Sequence, residues 1–270
     1  MEIAKGKCVK WLVVGILIGL LVGILIFPLS RPIDKIKIEK ELWHPYPQGL
    51  AWDGSHWYAS TSHEGGFNHL YKLDGDGNLI LKEVNVIPPS LAEGGYDHIG
   101  DLDYWNGKLY VPIEHEPVLN GLRVNATFAV YDSELKFTQS FKTSQFHAPW
   151  CAIDPETGYL YSSEWNDAWD LYVYDPVEGR LVKKVHLDKR LSSVQGGDFY
   201  RGYLYLCLDD PHKDVCRIDP KTGKVLDLIP TEIQEEMEGL TLHEASNGFI
   251  HFVAGYFPVE DSGYLYHLDF

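Results

Sequence analysis

Between Gly197 and Ile229 the chain reads GDFYRGYLYLCLDDPHKDVCRIDPKTGKVLDLI. Four short runs stand out, GDFYR, YLYLCL, DVCRID and KVLDLI, each with a period-two alternation of side chains and each bounded by turn residues such as Pro220–Gly223. Alternation with period two is the mark of a strand, and tight turns between successive runs make neighbours antiparallel. The unit is therefore a four-stranded sheet. Its two apolar faces have to be covered by neighbouring units.

The same unit recurs outward from this stretch. An aromatic or aliphatic pair follows a turn at Trp57-Tyr58, Leu109-Tyr110, Leu160-Tyr161, Leu204-Tyr205 and Ile250-His251, at intervals of 52, 51, 44 and 46 residues. Between these pairs an alternating strand ends in Asp74, Asp132, Asp175, Asp219 and Asp269. Five interleaved copies of each marker predict an all-β, five-bladed β-propeller, in which each blade buries its faces against its neighbours around a central channel. A sandwich has no need of five matching units. The last unit stops at YLYHLDF, the third strand of a blade, while Ile33–Leu42 resembles the outer strands of the other blades. The N-terminal strand is expected to complete blade five and so close the ring without loose edges.

Of the 270 residues, 45% are hydrophobic and 13% aromatic, enough for a packed core and incompatible with disorder through most of the chain. Residues 1–40 carry seven bases and three acids, which leaves 16 bases against 36 acids beyond them, a net charge of −20 that repels phosphate backbones and excludes nucleic acid as a partner. Trp11 to Ser30 reads WLVVGILIGLLVGILIFPLS, twenty residues without a charge, matching the roughly 30 Å hydrocarbon core of a bilayer. The stretch exceeds a cleaved signal core and no A-x-A-like site follows, so it reads as one transmembrane signal-anchor helix. The organisation predicted is a basic tail at 1–10, a span at 11–30, a linker and ring-closing strand at 31–42, and the propeller at 43–270. Lysines on both sides nearly cancel the positive-inside signal, and the acidic body is placed outside the cell because long domains translocate largely regardless of flanking charge. Gly15, Gly19 and Gly23 lie on one helix face and permit a dimer.

In a propeller, the loops leading into the inner strands and those after the second strands open on one face. This assigns to a common mouth Gln48, His98, His147, Gln195 and Glu238 from the first set, and Glu114, Glu164, Trp165, Asp209 and Tyr256 from the second. Glu114, Glu164 and Asp209 follow the repeated Tyr by three or four residues in successive blades, so three carboxylates are expected at nearly one height. Converging carboxylates suit Ca²⁺ or another divalent cation, with His98 and His147 as nitrogen ligands or candidate bases. Two other features are weaker. Asp74–Asn78 (DGDGN) reads as a hairpin turn rather than a Ca²⁺ loop, and Cys207 and Cys216 flank one loop and could form a disulfide outside the cell.

Tyr46–Leu79 (YPQGLAWDGSHWYASTSHEGGFNHLYKLDGDGNL) resembles the first blade of the glutamine cyclotransferases, and Val215–Ile229 resembles their fourth. Where that family reads E-S-T-G, with the Glu important for catalysis, this chain reads Ala59-Ser60-Thr61-Ser62. The D-P-x-T-G turns at Asp154–Gly158 and Asp219–Gly223 also resemble those of the gluconolactonase and strictosidine synthase group, in which mouth carboxylates hold a divalent metal, usually in six blades. Two functions follow as expectations. One is a module that binds a small molecule, peptide or envelope protein at its mouth, through residues such as Gln48, Trp165, Gln195, Glu238 and Tyr256. The other is a metal-dependent hydrolase or lactonase, or a cyclotransferase-like enzyme, using the same mouth.

Overall fold

The computed structural model describes residues 37–44, 46–63, 67–115, 125–243, 250–255 and 262–269. The basic tail, the apolar stretch at 11–30 with Gly15, Gly19 and Gly23, and Tyr256 lie outside them. Among the described residues no helix is long and apolar enough to cross a membrane.

Strand β1 (Lys37–Trp43) precedes blade 1, which consists of β2 (Pro47–Trp52), β3 (Trp57–Thr61), β4 (His69–Leu73) and β5 (Leu79–Val84). A single helical turn, α1 (Pro89–Ala92), leads to blade 2: β6 (Tyr96–Ile99), β7 (Asp103–Trp105), β8 (Lys108–His115), β9 (Ala126–Asp132) and β10 (Phe137–Lys142). Blade 3 is β11 (Ala152–Ile153), β12 (Leu160–Ser162), β13 (Ala168–Asp175) and β14 (Arg180–Leu191). Blade 4 is β15 (Val194–Tyr200), β16 (Tyr203–Leu208), β17 (Asp214–Asp219) and β18 (Lys224–Pro230). Blade 5 holds β19 (Glu236–Leu242), β20 (Ile250–Gly255) and β21 (Gly263–Asp269). The fourth strand of blade 5 is β1, antiparallel to β21 from Lys37 opposite Asp269 to Trp43 opposite Gly263. The ring closes as expected. Lys40 fastens this strand, with its ammonium 3.5 Å over the Tyr264 ring and bonded to the Glu235 carboxylate.

Strand alternation sends successive side chains into opposite seams. In β16, Leu204 and Leu206 join Tyr161, Val173 and Trp150 between blades 3 and 4, while Tyr205 and Cys207 join Met237 and Phe252 between blades 4 and 5. Three further clusters fill the remaining seams, so five buried clusters serve five interfaces. The same register corrects the disulfide expectation. Cys207 is opposite Val215 and Cys216 opposite Leu206, so the two thiols point to opposite faces of the sheet and stay free and buried. Asp74 accepts hydrogen bonds from the N–H groups of Asp76 and Asn78, at 3.0 and 2.8 Å, which identifies DGDGN as a turn.

The axis is filled by a carboxylate. Asp101 is completely buried, with Oδ1 accepting the N–H of Leu50 at 3.0 Å and Oδ2 those of Gly197 at 3.0 Å and Leu240 at 3.3 Å. Its own backbone leaves blade 2 between β6 and β7 and pairs in parallel with blade 3, donating to Pro149 O at 2.8 Å and accepting from Cys151 N at 3.2 Å. One residue thus ties all five blades. Gly49, Gly196 and Gly239 make room for it: a Cβ on Gly239 would stand 2.5 Å from Gly49 Cα and 2.6 Å from Asp101 Oδ1. A second layer repeats the device, with Asp103 accepting from Ile153 N of blade 3 at 2.6 Å and Asp198 accepting from Leu242 N of blade 5 at 2.7 Å. Burial pushes all three carboxyls above the ordinary carboxylate range, against the opposing pull of their N–H donors.

Replacing Gly239 with Ala should lower the unfolding free energy in urea by about 1–3 kcal/mol, the usual cost of overpacking a rigid core. An unchanged midpoint would show that the axis can expand to take the methyl group.

Candidate functional site

At the mouth, β6 and β8 are neighbours with His98 directly opposite Glu114. Glu114 is fully buried, and its Oε2 lies 3.6 Å from His98 Nδ1 and 3.1 Å from His147 Nε2. The second contact is within ion-pair reach but off the line of a hydrogen bond. Glu114 also accepts the N–H of Ala148, so one carboxylate of blade 2 holds both an imidazole of its own blade and the segment leading into blade 3. Both imidazoles reach toward solvent, His98 being 12% and His147 17% exposed. A buried carboxylate costs several kcal/mol unless charge or donors compensate, and the Ala148 N–H is one such donor to Glu114.

The segment carrying His147 is pinned from several sides. Glu164 accepts from Phe146 N at 3.2 Å and His147 N at 2.9 Å, while Gln145 donates to His147 O at 3.3 Å and accepts from Tyr174 Oη at 3.0 Å. Burial raises the Glu164 carboxyl above its usual range, with those two N–H bonds acting against the shift. Trp165 follows, its ring 5.7 Å from that of His147, and Phe146 projects outward at 70% exposure. Two imidazoles, two carboxylates and the Trp165 indole therefore come together where blades 2 and 3 meet.

The other expected residues are distributed differently. Asp209 pairs with Lys213 and accepts Met237 N at 2.9 Å, a link between blades 4 and 5. Gln195 reaches Glu236 at 3.5 Å, Gln48 bonds Pro47 O at 3.1 Å, and Glu238 is buried. Gln48, Gln195 and Glu238 each precede an axial glycine by one residue and so stand around the floor formed by Asp101. The donor set does not fit the divalent-cation expectation. Glu164 and Asp209 spend their oxygens on backbone N–H groups or a lysine, and among the described residues no group of three His, Cys, Asp or Glu side chains could hold a metal ion.

The sequence reading does not single out Asp101. A signal for it exists, since Gly49, Gly100, Gly196 and Gly239 recur along the innermost segments of four of the five blades, and only Gly100 and Gly196 are followed by a residue that is neither large nor aliphatic, namely Asp101 and Gly197.

No family model and no curated protein matches this sequence. Solved structures do. A luciferin-regenerating enzyme superposes with a TM-score of 0.59 at 11% identity, covering 87% of this chain and 96% of that one. The shared fold is the β-propeller, here with five blades. A gluconolactonase from Xanthomonas campestris gives a TM-score of 0.52 at 12% identity over 88% of this chain and 91% of its own. A GH43 protein from Bacillus licheniformis gives 0.52 at 14% identity, with 80% of this chain and 50% of that one covered. At these identities the likeness is one of fold, and the resemblance to glutamine cyclotransferases is not shown by it.

Proposed function

We propose that this chain is a membrane-anchored, extracytoplasmic propeller whose mouth binds a small polar molecule where blades 2 and 3 meet. The observation that carries the binding site is Glu114, buried completely between His98 and His147. A carboxylate packed against both rings restricts their motion, so they meet a ligand with less entropy to lose. Trp165 supplies an apolar wall beside His147. Anchoring is supported by the uncharged stretch from Trp11 to Ser30.

One feature favours a hydrolytic use of the same mouth. A buried carboxylate against an imidazole is the pairing that lets His act as a general base, taking a proton from an attacking water and returning it to a leaving oxygen. In this reading His147 is the base, Glu114 orients it, and a lactone or ester is the substrate class. The gluconolactonase among the structural neighbours bears on this at the level of fold only.

Alkaline carbonate washing should leave the full-length chain in the membrane fraction and release a chain that begins at residue 37; a full-length protein found in the wash would contradict the anchor. For the mouth, glucono-δ-lactone and p-nitrophenyl acetate serve as probes, followed by calorimetry and by turnover with the full-length protein. Glu114→Gln should weaken saturable binding about tenfold or more, and His147→Ala should cut any turnover about a hundredfold. Binding without turnover selects the module. Binding or turnover indifferent to both substitutions would remove the site.

A further inference from the structure

The repeated pair that marks each second strand ends in Tyr58, Tyr110, Tyr161 and Tyr205 in blades 1 to 4, and in His251 in blade 5. The exception falls at the junction where the ring is closed. On β20 and β21, His251 and His267 are directly opposite one another, on the same face as Val253 and Leu265, which pack against Leu50, Trp57 and Leu73 of blade 1. His243, just past β19, stacks on His251 with ring centroids 5.0 Å apart and planes 6° from parallel, and His267 meets His251 edge-on at 4.9 Å. Blade 1 covers the row with two indoles, Trp52 stacked on His243 at 4.8 Å and Trp57 edge-on to His251 at 5.0 Å. His251 is 5% exposed, and its Nδ1 has no hydrogen-bond partner among the described residues.

The two imidazoles stacked beneath the indoles, His243 and His251, are compatible with close packing in this apolar seam only while they are neutral. We propose that this seam is an acid-operated release, in which protonation of His243 and His251 drives blade 5 from blade 1 and unlatches the ring. The groups that face His251 are His243 at the end of β19, His267 on β21 and the two indoles of β2 and β3, while Glu41 of β1 sits 3.2 Å from His267 Nε2 at the outer end of the row. Burial first, then the neighbouring His267 and His243, hold the His251 imidazole down to about 3, against an ordinary value of 6.5. The opened chain therefore binds the proton more readily than the closed one. Stability from this group is complete above about 6.5 and is lost as pH falls from there toward about 3. The axial carboxyls shift the opposite way, because burial raises them and the closed form holds their protons more tightly. They are the same in a seam variant, so a difference between proteins isolates the imidazoles.

His251→Tyr places in blade 5 the residue that the other four blades carry, and it should fold. In the full-length protein, hydrogen exchange corrected for intrinsic rates should show β1, β20 and β21 losing about tenfold more protection than β16 and β17 between pH 7.5 and 5. In His251→Tyr that local loss should vanish, and the acid unfolding midpoint should move down by about one pH unit. His243→Gln provides a second variant with the same expected direction if the first does not fold. An acid midpoint unmoved by either substitution, or a loss of protection spread evenly over all five blades, would overturn the proposal.

Discussion

A single carboxylate on the propeller axis governs how the rest of this molecule fits together. Asp101 collects N–H donors from blades 1, 4 and 5 on its two oxygens while its own backbone pairs with blade 3. A ring of only five blades is narrow at its centre, and the three axial glycines bring the inner strands close enough for one side chain to reach them all. Buried backbone donors have to be matched, and the N–H groups of Leu50, Gly197 and Leu240 are matched here by one acidic residue rather than by water. The oily seams between blades supply the bulk of the burial, but they are non-directional. Asp101 contributes direction, since five inner strands meet its atoms at fixed heights.

Those heights in turn set the mouth. The inner strands begin two or three residues before the axial glycines, which places Gln48, Gln195 and Glu238 around the floor, while the blade 2 strand rises to His98. The break that sends Asp101 toward blade 3 also brings the segment before β11 against β8, where Glu114 receives Ala148 and His147. The candidate site therefore lies at the junction where the parallel Asp101–Trp150 bridge joins blades 2 and 3. Its chemistry follows from that closeness.

Much of this was legible in the residues. Five interleaved markers identify the blades, and the truncated last unit together with the strand before the first one identifies the closure, because strand alternation and turn chemistry are local properties that survive without an alignment. The partners of Glu164 and Asp209 were not legible for a physical reason: a carboxylate at a loop that binds a cation and one that accepts backbone N–H groups look the same in sequence, and only the fold reveals that Phe146 and His147 present their donors to Glu164 and Met237 its donor to Asp209. The same holds for the D-P-x-T-G turns. Asp154 and Asp219 each bond a Thr hydroxyl at 2.7 Å, and Gly158 and Gly223 each take a positive φ of 73°, so the motif encodes a turn and carries no activity with it. Cys207 and Cys216 were close in sequence and in the sheet, yet the register separates them by a whole face.

Hydrogen exchange at single amides is the most direct probe of the axial carboxylate. If Asp101 is the joint between blades, the amides of Leu50, Gly197 and Leu240 exchange only through global unfolding and share one free energy of opening, although they lie in three different blades. Were these three amides to exchange independently, at the rates of the outer hairpins, the blades would be held by their seams alone and the axial carboxylate would be a passenger.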